Sequence, residues 1–174
     1  MLSGLLLLAA TATQLQVADL SGNPVAIQLS GKPTAVVFVS TLCPISNDYN
    51  ERMSALYRDY KDRVRFVFVN ANQNESSADV SKHAADVAFP FVPYKDPNNA
   101  LADRLNATVT PEAFLFDAAG QLQYHGPIDD ARNAARVTAH HLRESLDAVL
   151  AGRAPAASEK KAFGCTIKRV KKAS

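Results

Sequence analysis

The two cysteines of the chain, Cys43 and Cys165, are its only thiols. Cys43 follows an apolar run at 35–39 that is typical of a buried strand, and it precedes Pro44, which is favoured in the first turn of a helix. Free backbone N–H groups at a helix N-terminus stabilise a thiolate, so we expect the pKa of Cys43 to fall below the ordinary value of about 8.5. The sequence therefore predicts a reactive cysteine between a strand and a helix. The alternative is a buried cysteine that behaves as a small apolar residue.

The elements that must hold Cys43 in place alternate between strands and helices. Apolar residues behind Cys43 recur at helical spacing as far as Tyr60, which predicts one helix over 44–60. Apolar runs predict strands at 15–17, 25–29, 35–39, 64–69, 113–116 and 121–125. Polar caps and apolar periodicity predict helices from Ser76 or Ser77 to about residue 88, over 98–105 and over 130–150. This order predicts an α/β fold with a mixed central sheet, helices on both faces and an N-terminal β-hairpin.

Length and composition are those of a globular protein that is large enough to bury a core. The chain has 174 residues, of which 47% are hydrophobic and 21% charged, and its formal net charge is +2. So small a charge favours neither a nucleic-acid partner nor a membrane surface. No apolar run approaches the roughly 18 residues that a transmembrane helix needs. The sequence leaves the oligomeric state undefined.

The first twelve residues form a short apolar block that ends in Ala10-Thr11-Ala12, the small-x-small pattern of a secretory cleavage site. We interpret residues 1–12 as a signal remnant, which predicts a periplasmic or secreted protein. Because no positive charge precedes the apolar block, the alternative is a segment packed on the domain, in a cytoplasmic protein. The rest of the chain divides into a domain over 13–152 and a basic tail over 153–174.

Two segments resemble the active-site motifs of the thioredoxin fold, and the resemblance covers roughly residues 14–150. One is Thr41-Leu42-Cys43-Pro44-Ile45-Ser46, and the other is Val109-Thr110-Pro111 ahead of an apolar strand. The resemblance implies a cis Thr110–Pro111 bond that faces the cysteine, and a thiol–disulfide oxidoreductase with Cys43 as the nucleophile. The residues that it implies for the substrate groove are Ser40, Thr41, Pro44, Ser46, Thr110 and Pro111.

Within this fold the chain is similar to the redoxin group, which joins the antioxidant peroxiredoxins (alkyl hydroperoxide reductase and thiol-specific antioxidant proteins) with periplasmic thioredoxin-like reductases. Cys43-Pro44 resembles the peroxidatic site, and Ser40 stands where peroxiredoxins place a threonine. However, the upstream proline of that motif is Val36 here, and the thiolate-stabilising arginine would fall near Pro111. The resemblance therefore favours a protein disulfide as the substrate over a hydroperoxide or another small oxidant.

The second cysteine of the thioredoxin motif is replaced by Ser46, so a mixed disulfide at Cys43 has no neighbouring thiol to resolve it. Cys165 lies in an apolar island, 163–167, within the basic tail, and its Gly-Cys-x-Ile-Lys ending is similar to that of redoxin-domain proteins that carry Cys-Pro-Ile-Ser-Asn. The extended chain from 154 to 164 spans up to about 36 Å, so Cys165 can reach Cys43. We expect Cys165 to resolve the Cys43 adduct through a disulfide. The alternatives are an incidental cysteine in a solvated tail and a catalytically silent protein.

Metal binding is a further alternative, because two cysteines and a histidine can bind copper. Copper chaperones of the thioredoxin fold use two cysteines close together in the first motif, where this chain has one. The histidines are His83, His125, His140 and His141. We therefore expect no metal and no cofactor, and an external thiol reductant as the partner that recycles the cysteines. The competing class is a non-enzymatic redoxin-fold binding module, either copper-carrying or catalytically silent.

Overall fold

The computed structural model describes residues 14–171, so the expected signal remnant at 1–12 lies outside the described residues. The strands are β1 (Gln14–Ala18), β2 (Pro24–Gln28), β3 (Thr34–Val39), β4 (Arg65–Asn70), β5 (Tyr94–Lys95), β6 (Val109–Thr110), β7 (Glu112–Phe116), β8 (Leu122–Gly126) and β9 (Cys165–Thr166). The α-helices are α1 (Pro44–Asn47), α2 (Asn50–Tyr60), α3 (Ser77–Asp86), α4 (Ala100–Leu105) and α5 (His141–Leu150).

Seven of these strands form one mixed sheet in the order β2-β1-β5-β4-β3-β7-β8, while β6 and β9 pair separately. The central strand β3 is parallel to β4 and antiparallel to β7. Strands β1 and β2 form the N-terminal antiparallel hairpin. The predicted mixed sheet and hairpin are both confirmed.

The core lies on both faces of the sheet, because β3 is buried along its whole length. Alternate residues of a strand point to opposite faces. Ala35, Val37 and Val39 pack on one face with apolar residues of α2 and α5. Val36 and Phe38 pack on the other face with β1 and α4. The strand that leads to Cys43 is therefore fixed from both sides.

The single helix expected over 44–60 is wrong, because the chain forms two helices, α1 and α2, around Tyr49. The Tyr49 N–H donates to the carbonyl of Ser46, three residues back, at 3.1 Å instead of continuing the four-residue spacing. The phenol of Tyr49 is turned inward, where it donates to Asp129 at 2.7 Å. This bond anchors the start of α2 close to the cysteine segment.

The long final helix expected over 130–150 is also wrong, since α5 covers only its last ten residues. Side chains before it bond to the local backbone and so compete with a helix. Asp130 accepts the N–H of Thr138 at 2.9 Å, and Asn133 accepts the N–H of Ala135 at 2.9 Å. The segment therefore folds into a loop with one short 3₁₀ turn, Ala134–Arg136.

The helices α3 and α4 are present close to their expected positions. The helix expected over 98–105 begins at Ala100, because Asn98 and Asn99 both adopt positive φ angles, 57° and 58°. Ser76 caps α3 as expected, in a capping box with Asp79. Among the helices of residues 14–171, none is long and apolar enough to cross a membrane.

Candidate functional site

Cys43 lies where β3 ends and α1 begins, and it is the N-cap residue of that short helix. Its backbone is extended, with φ −83° and ψ 114°, and Pro44 follows in the first helical turn. The Cys43 sulfur accepts the N–H of Ser46 at 3.3 Å, and the residue is 3% exposed. In the reduced protein the same N–H is placed to stabilise a thiolate.

Cys43 forms a disulfide with Cys165, although the two residues are 122 positions apart in the sequence. Their Cα atoms are 5.9 Å apart, within the range that a disulfide requires. The expected pairing is therefore present. The partner of Cys43 therefore comes from the C-terminal part of the chain, while Ser46 stands at the second position of the motif.

The turn before β7 lies directly against this disulfide. The Thr110–Pro111 bond is cis, as the resemblance implies, and the carbonyl oxygen of Thr110 is 3.3 Å from the Cys43 sulfur. Thr110 and Pro111 are both buried. The two motifs identified in the sequence thus meet at one point.

Strand β9 brings Cys165 to this point by pairing with β6. Cys165 is opposite Thr110, and the next residue of β9 is opposite Val109. A Cβ atom on Gly164 would lie 2.6 Å from the carbonyl carbon of Thr110 and closer still to its oxygen. Only glycine allows this approach of the two backbones.

The residues after Cys165 are also bound to the domain. Ile167 is 3% exposed within a core cluster. The Lys168 N–H donates to Asn72 at 2.7 Å, and its carbonyl accepts the N–H of Gln73 at 2.8 Å. The alternative of a solvated tail is therefore wrong for this part of the chain.

Glu75 is a buried carboxylate beside the cysteine segment that sequence analysis missed. It is 3% exposed and accepts bonds from the hydroxyl of Ser40 at 2.5 Å and from the N–H and hydroxyl of Thr41 at 2.6 and 2.7 Å. The amide of Asn70 donates to it at 2.6 Å. Ser40 in turn accepts the N–H of Cys43 at 3.0 Å. Glu75 thus fixes the loop that leads into the cysteine.

Burial alone would raise the pKa of Glu75, but the bonds from Ser40, Thr41 and Asn70 outweigh it and hold the pKa below its ordinary value. The carboxylate is therefore ionised at neutral pH. An acidic residue in a polar loop is usually solvated, so its sequence context indicated no such role. The only signal in the sequence that Glu75 lies close to the sheet is the apolar strand that precedes its loop.

Ser46 and Ser40 contact each other below the surface. The hydroxyl of Ser46 accepts the N–H of Ser40 at 3.1 Å, and the two residues are 1% and 5% exposed. Both hold the loop in this oxidised state. The exposed residues of the segment are Pro44 and Leu42, and Leu42 is 64% exposed.

A second buried carboxylate, that of Glu112, comes directly after Pro111 and is in hydrogen-bond contact with His125. The His125 Nε2 is 2.6 Å from Glu112, which also accepts the N–H groups of Thr108 and Val109 at 2.7 and 3.1 Å. Glu112 therefore holds β6 in place. Within residues 14–171 no three His, Cys, Asp or Glu residues converge as metal ligands would.

Replacing Gly164 with alanine tests the close approach of β9 to β6. The added methyl group has no room above Thr110, and overpacking of this kind costs about 1–3 kcal/mol. We expect the disulfide of G164A to be reduced at a ratio of reduced to oxidised glutathione at least about fivefold lower than that of the wild type. A cost of about 1.4 kcal/mol changes an equilibrium constant about tenfold, so a cost of about 1 kcal/mol changes it about fivefold. Thiol alkylation and mass spectrometry across a glutathione series measures this. The matched control is T166A at the exposed neighbouring position, and equal behaviour of the two variants would contradict the account.

Replacing Glu75 with glutamine tests whether the negative charge of Glu75 stabilises the loop before Cys43. We expect E75Q to unfold about 1–3 kcal/mol more easily at pH 7, because four donor groups lose an ionised acceptor. The folded pKa of Glu75 is lowered, so its contribution is present above the unfolded pKa and is lost as pH falls through the folded one. The stability difference should therefore shrink below about pH 4.5. Urea unfolding from pH 7 to 3 measures it.

The control for this experiment is E51Q, since Glu51 is 89% exposed in its side chain. We expect E51Q to stay within about 0.5 kcal/mol of the wild type at every pH. A difference between E75Q and the wild type that does not change with pH would show that the charge of Glu75 has no stabilising role.

Comparisons with known proteins agree with this geometry. The family model described as thioredoxin-like matches residues 31–122, just over half of the chain. The thiol-disulfide oxidoreductase YkuV of Bacillus subtilis is 28% identical over 111 residues, which cover 60% of this chain and 74% of that protein.

Solved structures extend the similarity to nearly the whole chain. A conserved protein from Geobacillus kaustophilus superimposes with a TM-score of 0.82 at 29% identity, over 94% of this chain and 92% of that one. A secreted disulfide oxidoreductase of Mycobacterium tuberculosis, homologous to E. coli DsbE, shares the fold with a TM-score of 0.59 at 20% identity, over 83% and 99% of the chains. This chain belongs to the thioredoxin-like family.

Proposed function

We propose that the protein is a thiol–disulfide oxidoreductase of the redoxin type whose redox pair is Cys43 and Cys165. The observation that carries this proposal is the disulfide between an N-cap cysteine and a cysteine held opposite the cis Thr110–Pro111 turn. The likeness to YkuV, which is named a thiol-disulfide oxidoreductase, supports the same chemistry. The Ser46 N–H at the Cys43 sulfur also fits a cysteine that acts as a thiolate.

In the reduced protein the thiolate of Cys43 is the nucleophile. It attacks one sulfur of a protein disulfide, a bond forms between Cys43 and that sulfur, and the other substrate sulfur leaves as a thiolate that takes up a proton. The thiolate of Cys165 then attacks the Cys43 sulfur and releases the second substrate thiolate. The substrate gains two electrons and the Cys43–Cys165 pair loses two. An external thiol reductant restores the dithiol.

The surrounding residues have separate roles in this scheme. The N–H of Ser46 stabilises the Cys43 thiolate, while the Ser46 hydroxyl cannot resolve a mixed disulfide. Cys165 resolves it, because strand pairing holds its thiol beside Cys43 at a high effective concentration. The substrate-binding surface is formed by Thr41, Pro44 and the Thr110–Pro111 turn, with Ser40 and Ser46 supporting it from below.

The proposal extends to the organisation and location of the chain. Residues 13–152 are the redoxin domain and 153–174 are an extension that supplies the resolving cysteine. An oxidised Cys43–Cys165 pair fits a periplasmic or secreted protein, where disulfides persist.

Exchange of Cys43 with a protein disulfide is tested by substitution of each cysteine. We expect the wild type to catalyse reduction of insulin by dithiothreitol, and C43S to lose this activity. C165S should accumulate a covalent adduct with substrate through Cys43, because no second thiol releases it. Non-reducing mass spectrometry identifies the bridged peptides. Insulin reduction by C43S at the wild-type rate would contradict the proposal.

Peroxide reduction distinguishes this function from that of a peroxiredoxin-like antioxidant enzyme. Val36, in the place of the upstream peroxidatic proline, is buried within β3, and the position expected for the arginine is the cis Pro111. Loss of one positioned charge stabiliser costs about 10²–10³ in rate in other enzymes. We therefore expect reduced Cys43 to react with hydrogen peroxide about as slowly as a free thiolate. Stopped-flow measurement of a rate like that of dedicated peroxidases would reverse this ranking.

A further inference from the structure

The C-terminal residues 163–170, called here the docked segment, are held by many contacts that do not involve sulfur. The Ile167 N–H donates to the carbonyl of Thr108 at 3.0 Å, and its side chain is buried in the core. The Val170 N–H donates to the buried amide oxygen of Asn99 at 2.8 Å. These bonds are made by residues that directly follow β9, so they continue the attachment of the segment beyond the pairing of β9 with β6.

Arg169 adds a charged contact to the docked segment. Its Nε is 2.8 Å from a carboxylate oxygen of Asp103, and its guanidinium donates to the carbonyl of Ala107 at 2.6 Å. At the other end of the segment, Phe163 packs against Tyr49 with ring centroids 6.4 Å apart. None of these contacts involves a sulfur atom, so reduction of the disulfide does not itself break any of them.

The docked segment covers the position that a substrate has to reach. Cys165 pairs with Thr110 along this edge, and Gly164 lies against the backbone of Thr110. Within residues 14–171, β6 pairs with β9 alone, so removal of β9 would leave an open strand edge beside Cys43. Open strand edges bind extended peptides through main-chain hydrogen bonds.

We propose that β6 is a docking edge for extended, cysteine-bearing polypeptides, and that the docked segment occupies it in both redox states as an internal competitor. A protein disulfide then reaches Cys43 by displacing this segment, and Cys165 attacks the mixed disulfide when the segment pairs with β6 again and displaces the bound polypeptide. The contacts define the favoured partner: a small residue before its cysteine, an apolar residue two positions after it and a basic residue four positions after it. This inference rests on the proposed function and names the substrate class and the control of the same site.

Hydrogen exchange tests whether the segment stays docked. In the reduced wild-type protein we expect the amides of Ile167, Lys168 and Val170 to keep protection within about tenfold of the oxidised protein, because their acceptors are unchanged. Exchange of these amides at unfolded-chain rates after reduction would overturn the inference. This readout does not depend on any catalytic activity.

Competition at the docking edge is tested with the reduced full-length C165S protein. The probe is the nine-residue peptide AFGCTIKRV, which copies residues 162–170, with its cysteine activated as a pyridyl disulfide. The Cys43 thiolate attacks the peptide sulfur, the peptide becomes disulfide-bonded to Cys43, and thiopyridone leaves and is measured by its absorbance. Cysteamine pyridyl disulfide is the small reagent for comparison.

We expect R169A to speed the reaction with the peptide about 3- to 10-fold, because it weakens the internal competitor. The reaction with the small reagent should change by less than about twofold. The matched control is K161A, an exposed basic residue of the same extension, which should change neither rate. A peptide with valine in place of its glycine should react at least about tenfold more slowly, as its side chain meets the Thr110 backbone.

The possible failures are distinguishable. If Cys43 reacts with the small reagent but R169A matches K161A with the peptide, or the glycine-to-valine peptide reacts equally fast, the docking-edge inference is overturned and the proposed function stands. If Cys43 reacts with neither reagent, the proposed function fails and the inference fails with it.

Discussion

The pairing of Thr110 with Cys165 across β6 and β9 is the contact on which the position of the disulfide depends. It places a cysteine from the end of the chain beside a cysteine at the end of the central strand. The Cα separation of 5.9 Å is reached because Gly164 allows the two backbones to approach. The disulfide thus joins two segments that are 122 positions apart, and in the proposed function this is the redox pair.

Two buried carboxylates hold the two sides of this pair. Glu75 binds the loop before Cys43, and Glu112 binds the N–H groups of β6. Asn72 connects the loop before Cys43 to the extension. Its side-chain oxygen accepts the N–H of Lys168, and its backbone N–H donates to the side chain of Asn70. The amide of Asn70 in turn donates to Glu75. The extension and the cysteine loop are therefore parts of one hydrogen-bonded frame.

The fold and the central pair could be predicted from the sequence because apolar periodicity and two short motifs carry that information. The buried run of β3 and the N-terminal hairpin follow from the apolar pattern, and the cis Thr110–Pro111 turn follows from the resemblance to the thioredoxin fold. Glu75 could not be predicted, because a carboxylate in a polar loop gives no sign of the donors that meet it from elsewhere in the chain. The long final helix was wrong for a related reason, since Asp130 and Asn133 bind local backbone groups that a helix would have used.

The most direct test of the account is the thiol–disulfide equilibrium of the wild-type protein in glutathione mixtures, followed by alkylation and mass spectrometry. We expect Cys43 and Cys165 to be oxidised together in one two-electron transition that does not depend on protein concentration, with a single bridged peptide pair. Independent oxidation of the two cysteines, or glutathione bound at Cys43 while Cys165 remains a free thiol throughout the series, would contradict it.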